Sequence, residues 1–272
     1  MARIFAHIPR LLILAGLWLA AFISVFPFYW MIVGATNTAN DVTAGKVTFG
    51  ANLIPNIAKF FELVDVPRVF FNSFFVAITG TAATLIICSM AGYGFEIFKF
   101  RLRDRIFGGL LLLLSVPFAA MMIPLFVMFV NLGLMNTYLG VMLPGMAAIF
   151  MIFYFRQNTK SFPTELRDAA RIDGLKEWQI FLFIYMPVMR STYAAAMIIV
   201  FMTNWNAYLW PLISLQTNEM KTITLVVASL ASAYVPDYGL IMVANVLATL
   251  PTILVFFLLQ RRFVEGMLGG VK

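Results

Sequence analysis

The segment Ser161-Phe-Pro-Thr-Glu-Leu-Arg-Asp-Ala-Ala-Arg-Ile-Asp-Gly-Leu-Lys-Glu-Trp-Gln-Ile-Phe-Leu-Phe-Ile-Tyr-Met-Pro187 is a charged island in an otherwise apolar chain. Pro163 and Glu165 suit a first helical turn, where a missing N–H costs nothing and a carboxylate meets the helix dipole. Asp173-Gly174 suits a stop, because glycine enters the left-handed conformation freely. A second helix is predicted from Lys176 to Met186, with Trp178, Phe181, Leu182 and Tyr185 on one apolar face. Pro187 disfavours a helical residue before it and should reset the chain there. The expectation is two short helices meeting at a glycine. Periodicity alone fits equally well a charged linker whose amphipathic helices lie on a membrane.

The flanks of this island are membrane-like. A hydrocarbon core needs about 20 apolar residues per helix. Six stretches qualify, near Leu11–Ala35, Val69–Phe95, Ile106–Val130, Leu139–Phe155, Ser191–Leu215 and Gly239–Leu259, and none holds Asp, Glu, Lys, Arg or His. The composition agrees: 62% of the 272 residues are apolar and 11% charged, which excludes a disordered chain, a disulfide scaffold or an ordinary soluble enzyme. The first apolar run is too long for a cleaved signal peptide. Of the 19 Lys and Arg residues, all but Lys46, Lys59, Arg68 and Lys221 fall on the side of the quoted loop and of both ends of the chain. The positive-inside rule then makes both termini cytoplasmic. The net charge of +7 is explained without nucleic acid. The expected fold is all-α, a six-span polytopic membrane helix bundle forming a single domain over residues 1–272. It has a cytoplasmic loop at 156–190, external loops near 36–68 and 216–238, and a cytoplasmic tail at 260–272.

Rare residues narrow the chemistry. Cys88 is the single cysteine and His7 the single histidine, so no internal disulfide, cysteine- or histidine-rich metal centre or histidine relay is available. No Gly-x-x-x-x-Gly-Lys-[Ser/Thr] loop exists; the single Gly-Lys pair is Gly45-Lys46, followed by Val47. The chain therefore does not bind ATP by that device, and transport energy must come from a partner or a gradient. Proton-coupled carriers place ionisable groups within the membrane. These spans have none, although an ion-coupled secondary carrier with backbone and hydroxyl ligands stays open. The groups needed for a membrane enzyme are confined to loops.

The spacing Asp168-Ala169-Ala170, three residues, Gly174, nine residues, Ile184, one residue, Met186-Pro187 resembles the signature loop of permease subunits of bacterial binding-protein-dependent ABC importers. Asp168 stands for the usual Glu and Met186 for the usual Leu. Thr203-Asn-Trp-Asn-Ala-Tyr-Leu-Trp-Pro211 and the ending Leu259-Gln-Arg-Arg-Phe-Val-Glu-Gly-Met-Leu-Gly-Gly-Val-Lys272 resemble the carbohydrate branch, of the type of the smaller permease of the maltose importer.

The resemblance implies a type I ABC importer permease in the bacterial inner membrane, surrounded by lipid. Its partners would be a second homologous permease, two copies of an ABC ATPase and an external solute-binding protein. No cofactor is expected on this chain; ATP and Mg would sit on the ATPase. Asp168 would face a basic residue of the ATPase, Ala169 and Ala170 would permit close approach, and Gly174 would supply the bend. The helix with Trp178, ending at Pro187, would fasten the hook to the membrane domain. The tail around Gly266–Lys272 would reach the ATPase pair. The segment 216–238 would meet the binding protein.

Neutral polar groups in the spans are candidates for the solute path. Asn204, Asn206, Tyr208 and Trp210 are the foremost, because amides pair with hydroxyls and aromatic rings stack on pyranoses. Span amides such as Asn72 and Asn245 equally serve to join helices. Pro117, Pro124, Pro144, Pro211 and Pro251 can kink spans and loosen local backbone pairing.

Overall fold

The computed structural model describes the backbone of residues 2–268 and the side chains of 12–258 and Gln260. Among the described residues every regular element is helical. The helices are α1 (Ala2–Ala35), α2 (Ala39–Thr43), α3 (Leu53–Leu63), α4 (Val66–Ile97), α5 (Arg103–Leu112), α6 (Phe118–Asn131), α7 (Tyr138–Met146) and α8 (Ile149–Thr159), followed by α9 (Thr164–Ile172), α10 (Glu177–Ile180), α11 (Met186–Val188), α12 (Arg190–Trp205), α13 (Leu209–Ser214), α14 (Ile223–Ala231) and α15 (Tyr238–Leu268). Of the tail at 260–272, residues 269–272 and the side chains beyond Gln260 lie outside this description.

Among the described residues three helices are long and apolar enough to cross a membrane in one piece: Leu12–Ala35 in α1, Val66–Ile97, and Tyr238–Leu258 in α15. They contain or closely match the first, second and sixth apolar stretches of the sequence. The other stretches are broken. Helix α5 and its 3-10 extension meet α6 at 101°, and α7 meets α8 at 46°. Prolines explain much of this. Pro117 forces Val116 into an extended conformation (φ −84°, ψ 116°) and becomes the N-cap of α6. Pro211 has no N–H for the carbonyl of Ala207 and would clash with it, and the fifth stretch is irregular at 206–208, between α12 and α13.

Pro187 behaves differently from the expectation. Met186, just before it, is helical, and the chain turns only at Met189, with an 83° bend between Glu177–Val188 and α12. A π-helical turn over Phe181–Tyr185 precedes the proline and widens the backbone there, which is how helices absorb a missing bond.

By contacts the chain divides into two units, Met1–Val66 with Val227–Leu250, and Pro67–Val226 with Pro251–Lys272. In the first, buried Asn56 donates to the carbonyls of Ala35 and Asn37, and Lys59 pairs with Asp237 at 2.6 Å. Burial works against ionisation of Asp237, yet Lys59 and the amides of Leu240 and Gly239 outweigh it and hold the carboxyl below its usual range. The second unit centres on Leu85, Cys88, Phe107, Phe155, Ala196 and Val200. Cys88 is buried, a small apolar residue of this core. Gly92 lets α4 and α8 touch: a Cβ there would lie 2.6 Å from the Phe155 Cβ and 2.7 Å from the Arg156 nitrogen.

Beside that contact, the nearly buried Arg156 donates to Glu96 Oε2 at 3.3 Å and Asp104 Oδ1 at 2.6 Å, and lies 4.0 Å over the Phe107 ring. One guanidinium thus fastens the ends of α4, α5 and α8. Arg156→Met should cost about 1–2 kcal/mol, at the low end for charged hydrogen bonds because Asp104 is largely exposed. The thermal unfolding midpoint in detergent would read this; an unchanged midpoint would refute the clamp.

Candidate functional site

The quoted loop folds as a hook. Helix α9 ends in a Schellman turn, in which Gly174 N–H donates to the Arg171 carbonyl (3.1 Å) and Leu175 N–H to the Ala170 carbonyl (3.0 Å). Gly174 has φ +85°, the left-handed conformation that a side chain resists. The chain then enters α10, where the Gln179 side chain accepts from Lys176 N–H at 2.8 Å.

Arg167 and Glu177 lock the hook across the turn. Arg167 Nη2 donates to Glu177 Oε1 at 2.6 Å and Nε to Oε2 at 3.3 Å. The Tyr93 hydroxyl of α4 donates to the same carboxylate at 3.2 Å. The hydrogen-bonded Glu177 carboxylate raises the Arg167 pKa above its ordinary value. Below this knot Phe181, Tyr185 and Met189 are buried with Tyr93 and Phe162, and the Tyr185 hydroxyl lies 2.6 Å from Thr159 Oγ1.

These contacts divide the residues of α9. Ala170 is buried, and Arg167 faces the knot. Glu165, Asp168, Ala169 and Ile172, spaced i, i+3, i+4 and i+7, are exposed together, and Ile172 is 88% exposed. Among the described residues no cation of the chain pairs with Asp168. The hook therefore presents one carboxylate pair, one small residue and one bare isoleucine outward. Of the sequence candidates, Asp168, Ala169, Ala170 and Gly174 come together here. Pro187 lies at the far end of the second helical stretch. Trp178 does not pack inward with Phe181 and Tyr185 as expected: it is 57% exposed, as Leu182 also is in large part. Arg167, Glu177 and Tyr93 were missed. The opposite charges flanking Asp173-Gly174 were a usable signal for the first two, but Tyr93 is distant in sequence.

The second site is a cavity of about 510 Å³ at the break between α12 and α13. Asn204, Asn206, Tyr208 and Trp210 all line it, together with Thr203 and residues of α7. Its making can be traced. Pro144 leaves the Gly140 carbonyl without its helical donor, and the Trp210 indole supplies one at 2.9 Å. Trp210 is therefore a structural wall. Asn206 Nδ2 donates to the Met202 carbonyl at the end of α12, and Asn204 Nδ2 to Thr81 Oγ1 at 3.3 Å. Among the described residues no Asp, Glu, Lys, Arg or His lines this cavity. Asn72 and Asn245 lie elsewhere. Asn72 is buried, donates to the carbonyls of Glu219 and Lys221 and accepts from Tyr138, joining segments; Asn245 bonds its own helix at Ile241.

Residues 216–222 are tied down by those bonds and by Asn136, whose side-chain oxygen accepts from the Gln216 and Thr217 amides. Further along, Tyr234 is fully exposed and Val235 largely so.

Residues 85–269, more than half of the chain, match the family described as binding-protein-dependent transport system inner membrane component. The chain is 62% identical over 266 residues to the lactose transport system permease protein LacG of Rhizobium radiobacter, covering 98% of this chain and 97% of that one. It is 33% identical to the arabinooligosaccharides transport system permease protein AraQ of Halalkalibacterium halodurans, with 96% of each chain covered. It is 31% identical to the sn-glycerol-3-phosphate transport system permease protein UgpE of Agrobacterium fabrum, covering 100% and 98%. In fold it is similar to a chain of a bacterial ABC transporter involved in importing the acidic polysaccharide alginate, with TM-score 0.79, 20% identity and coverage of 96% and 97%. Such permeases work with a partner permease, an ATPase and a substrate-binding protein, so the gradient-driven carrier falls away. The chain belongs to the binding-protein-dependent transport system inner membrane components: it is an ABC importer permease of the inner membrane, a transport subunit and not an enzyme.

Proposed function

We propose that this permease moves a neutral sugar of disaccharide or oligosaccharide size, and that the cavity at the α12–α13 break touches it. The observation that carries this reading is the lining, uncharged among the described residues, that gathers Asn204, Asn206 and Tyr208 against an aromatic wall. Amides and a phenol offer donors and acceptors to sugar hydroxyls, whereas an anionic solute would leave its charge unpaired. The cavity volume is in the range of small-molecule sites. Relatives named for lactose and for arabinooligosaccharides support the sugar; a relative named for sn-glycerol-3-phosphate shows that membership alone does not choose neutral over anionic.

In this reading six spans, three of them bent, place both termini in the cytoplasm. A second, similar permease completes the pathway, and two copies of the ATPase hold ATP and Mg. The exposed face of α9 docks on the ATPase. Asp168 meets a cation there, Ala169 allows close approach, and the Arg167–Glu177 knot passes the ATPase's movement to α4. The tail at 260–272 reaches the ATPase pair. The external solute-binding protein is met by the 216–238 segment, where Tyr234 and Val235 are exposed.

The test is sugar-stimulated ATP hydrolysis by the reconstituted complex. Lactose, or another neutral sugar of that size, should stimulate with its binding protein present. Stimulation by glycerol phosphate alone would refute the neutral assignment. Tyr208→Ala and Asn206→Ala should each raise the half-saturating sugar concentration by about three- to tenfold, the worth of one hydrogen bond. Unchanged half-saturation in both would remove this cavity from the pathway.

A further inference from the structure

Trp178 and Leu182 are left uncovered by the hook, and they form one side of a second cavity. It encloses about 410 Å³, between the end of α4 and the helical stretch 177–188. Ile86 and Met90 line it from α4, with Phe98 just beyond that helix; Trp178, Leu182 and Met186 line it from the other side. Ile86, Met90 and Tyr93 share one face of α4, so the groove runs about 10 Å along the helix. Its inner part lies beside the apolar run of a membrane-spanning helix, and its mouth lies where that run ends.

The mouth is basic. Phe98 is followed by Lys99-Phe100-Arg101-Leu102, all exposed, with cations and large apolar residues alternating. Lys99 and Arg101 take part in no ion pair among the described residues. Lys176, next to Glu177 in sequence, is likewise without one. The carboxylate at the mouth, Glu177, already faces Arg167 at 2.6 Å. Uncommitted charge on the segments flanking this opening is therefore positive, and the cavity itself is lined by apolar and aromatic residues apart from Glu177.

We infer that this groove binds an anionic phospholipid, with one acyl chain along Ile86, Met90 and Leu182 and its phosphate at Lys99 and Arg101. An apolar slot about 10 Å deep suits part of a chain. Tryptophan suits the headgroup level, where an apolar ring with one N–H is at home. Basic residues at the membrane surface attract anionic headgroups. Because the lipid seals Trp178 against α4, it braces the second arm of the hook.

The experiment uses the full transporter, with its ATPase and partner permease, in nanodiscs holding brominated phosphatidylglycerol or brominated phosphatidylcholine at equal mole fraction. The contribution of Trp178 is the difference in fluorescence between the wild type and Trp178→Phe. That component should be quenched more by phosphatidylglycerol. The mole fraction needed for half of the quenching should rise about fivefold for each of Lys99→Gln and Arg101→Gln. Both cations are exposed, so neither substitution threatens the fold. Equal quenching by the two lipids would reduce the groove to ordinary lipid-facing surface and overturn the inference. No quenching by either would mean that a protein partner fills the groove, and would overturn it as well. None of these readouts depends on which solute is carried, so failure here leaves the sugar assignment untouched.

Discussion

Gly174→Val should reach the membrane at the normal level and import sugar at about one-fifth to one-thirtieth of the normal rate, or less. The left-handed φ of +85° costs a residue with a side chain about 1–2 kcal/mol, most for a β-branched one. That cost maps to about five- to thirtyfold in the population of the docked hook. A Cβ at this position meets nothing within 4 Å among the described residues, so the penalty belongs to the backbone and not to crowding. Asparagine enters the left-handed region far more readily, and Gly174→Asn should keep most of the transport. Uptake by Gly174→Val at the normal rate would refute the hook as the coupling element. If Gly174→Asn fails as badly as Gly174→Val, the glycine is needed for close approach of the ATPase and not for the turn.

Uninterrupted apolar runs made α1, α4 and α15 legible, because an 18-residue window without charge has few alternatives. The hook was legible for a different reason: Pro163, Glu165 and Asp173-Gly174 are local signals, and a Schellman turn is a local structure. The failures lie where the backbone departs from 3.6 residues per turn. Phe181, Tyr185 and Met189 are buried at a spacing of four, and Glu177 lies one further step back, facing the knot. The π turn sets that wider spacing, so the inward stripe passes through Glu177 and not through Trp178. The same turn carries the helix through Pro187. Likewise Pro211 announced a kink, but nothing in its neighbourhood said that Asn204, Asn206 and Tyr208 would face one cavity with α7. That depends on Pro144, which frees the Gly140 carbonyl for Trp210 from 70 residues away.

The knot around Glu177 lies beyond sequence reading as well, and it separates two roles that a charge count would merge. Arg167 and Asp168 are neighbours, yet one faces the chain and the other faces away. Substitutions at Arg167 must therefore disturb the hook itself, whereas those at Asp168 act on whatever docks there.

Asp168→Lys is the sharper test for that reason. Asp168 is exposed and unpaired among the described residues, so the purified subunit should unfold at the normal temperature, within about 0.5 kcal/mol of the parent stability. In the complex the outcome should differ. Loss of one partner from a desolvated interfacial charge pair costs about 2–5 kcal/mol, and reversal adds repulsion. Hydrolysis should no longer respond to sugar, and the ATPase should bind at least about thirtyfold more weakly. Asp168→Glu keeps the charge and should keep the coupling. Ile172→Ala, on the same outward face, should weaken ATPase binding without changing its salt dependence, since the side chain contributes area and no charge. If Asp168→Lys keeps full sugar-stimulated hydrolysis, the outward face of α9 is not where the ATPase holds this permease, and the charge on it is merely solvated.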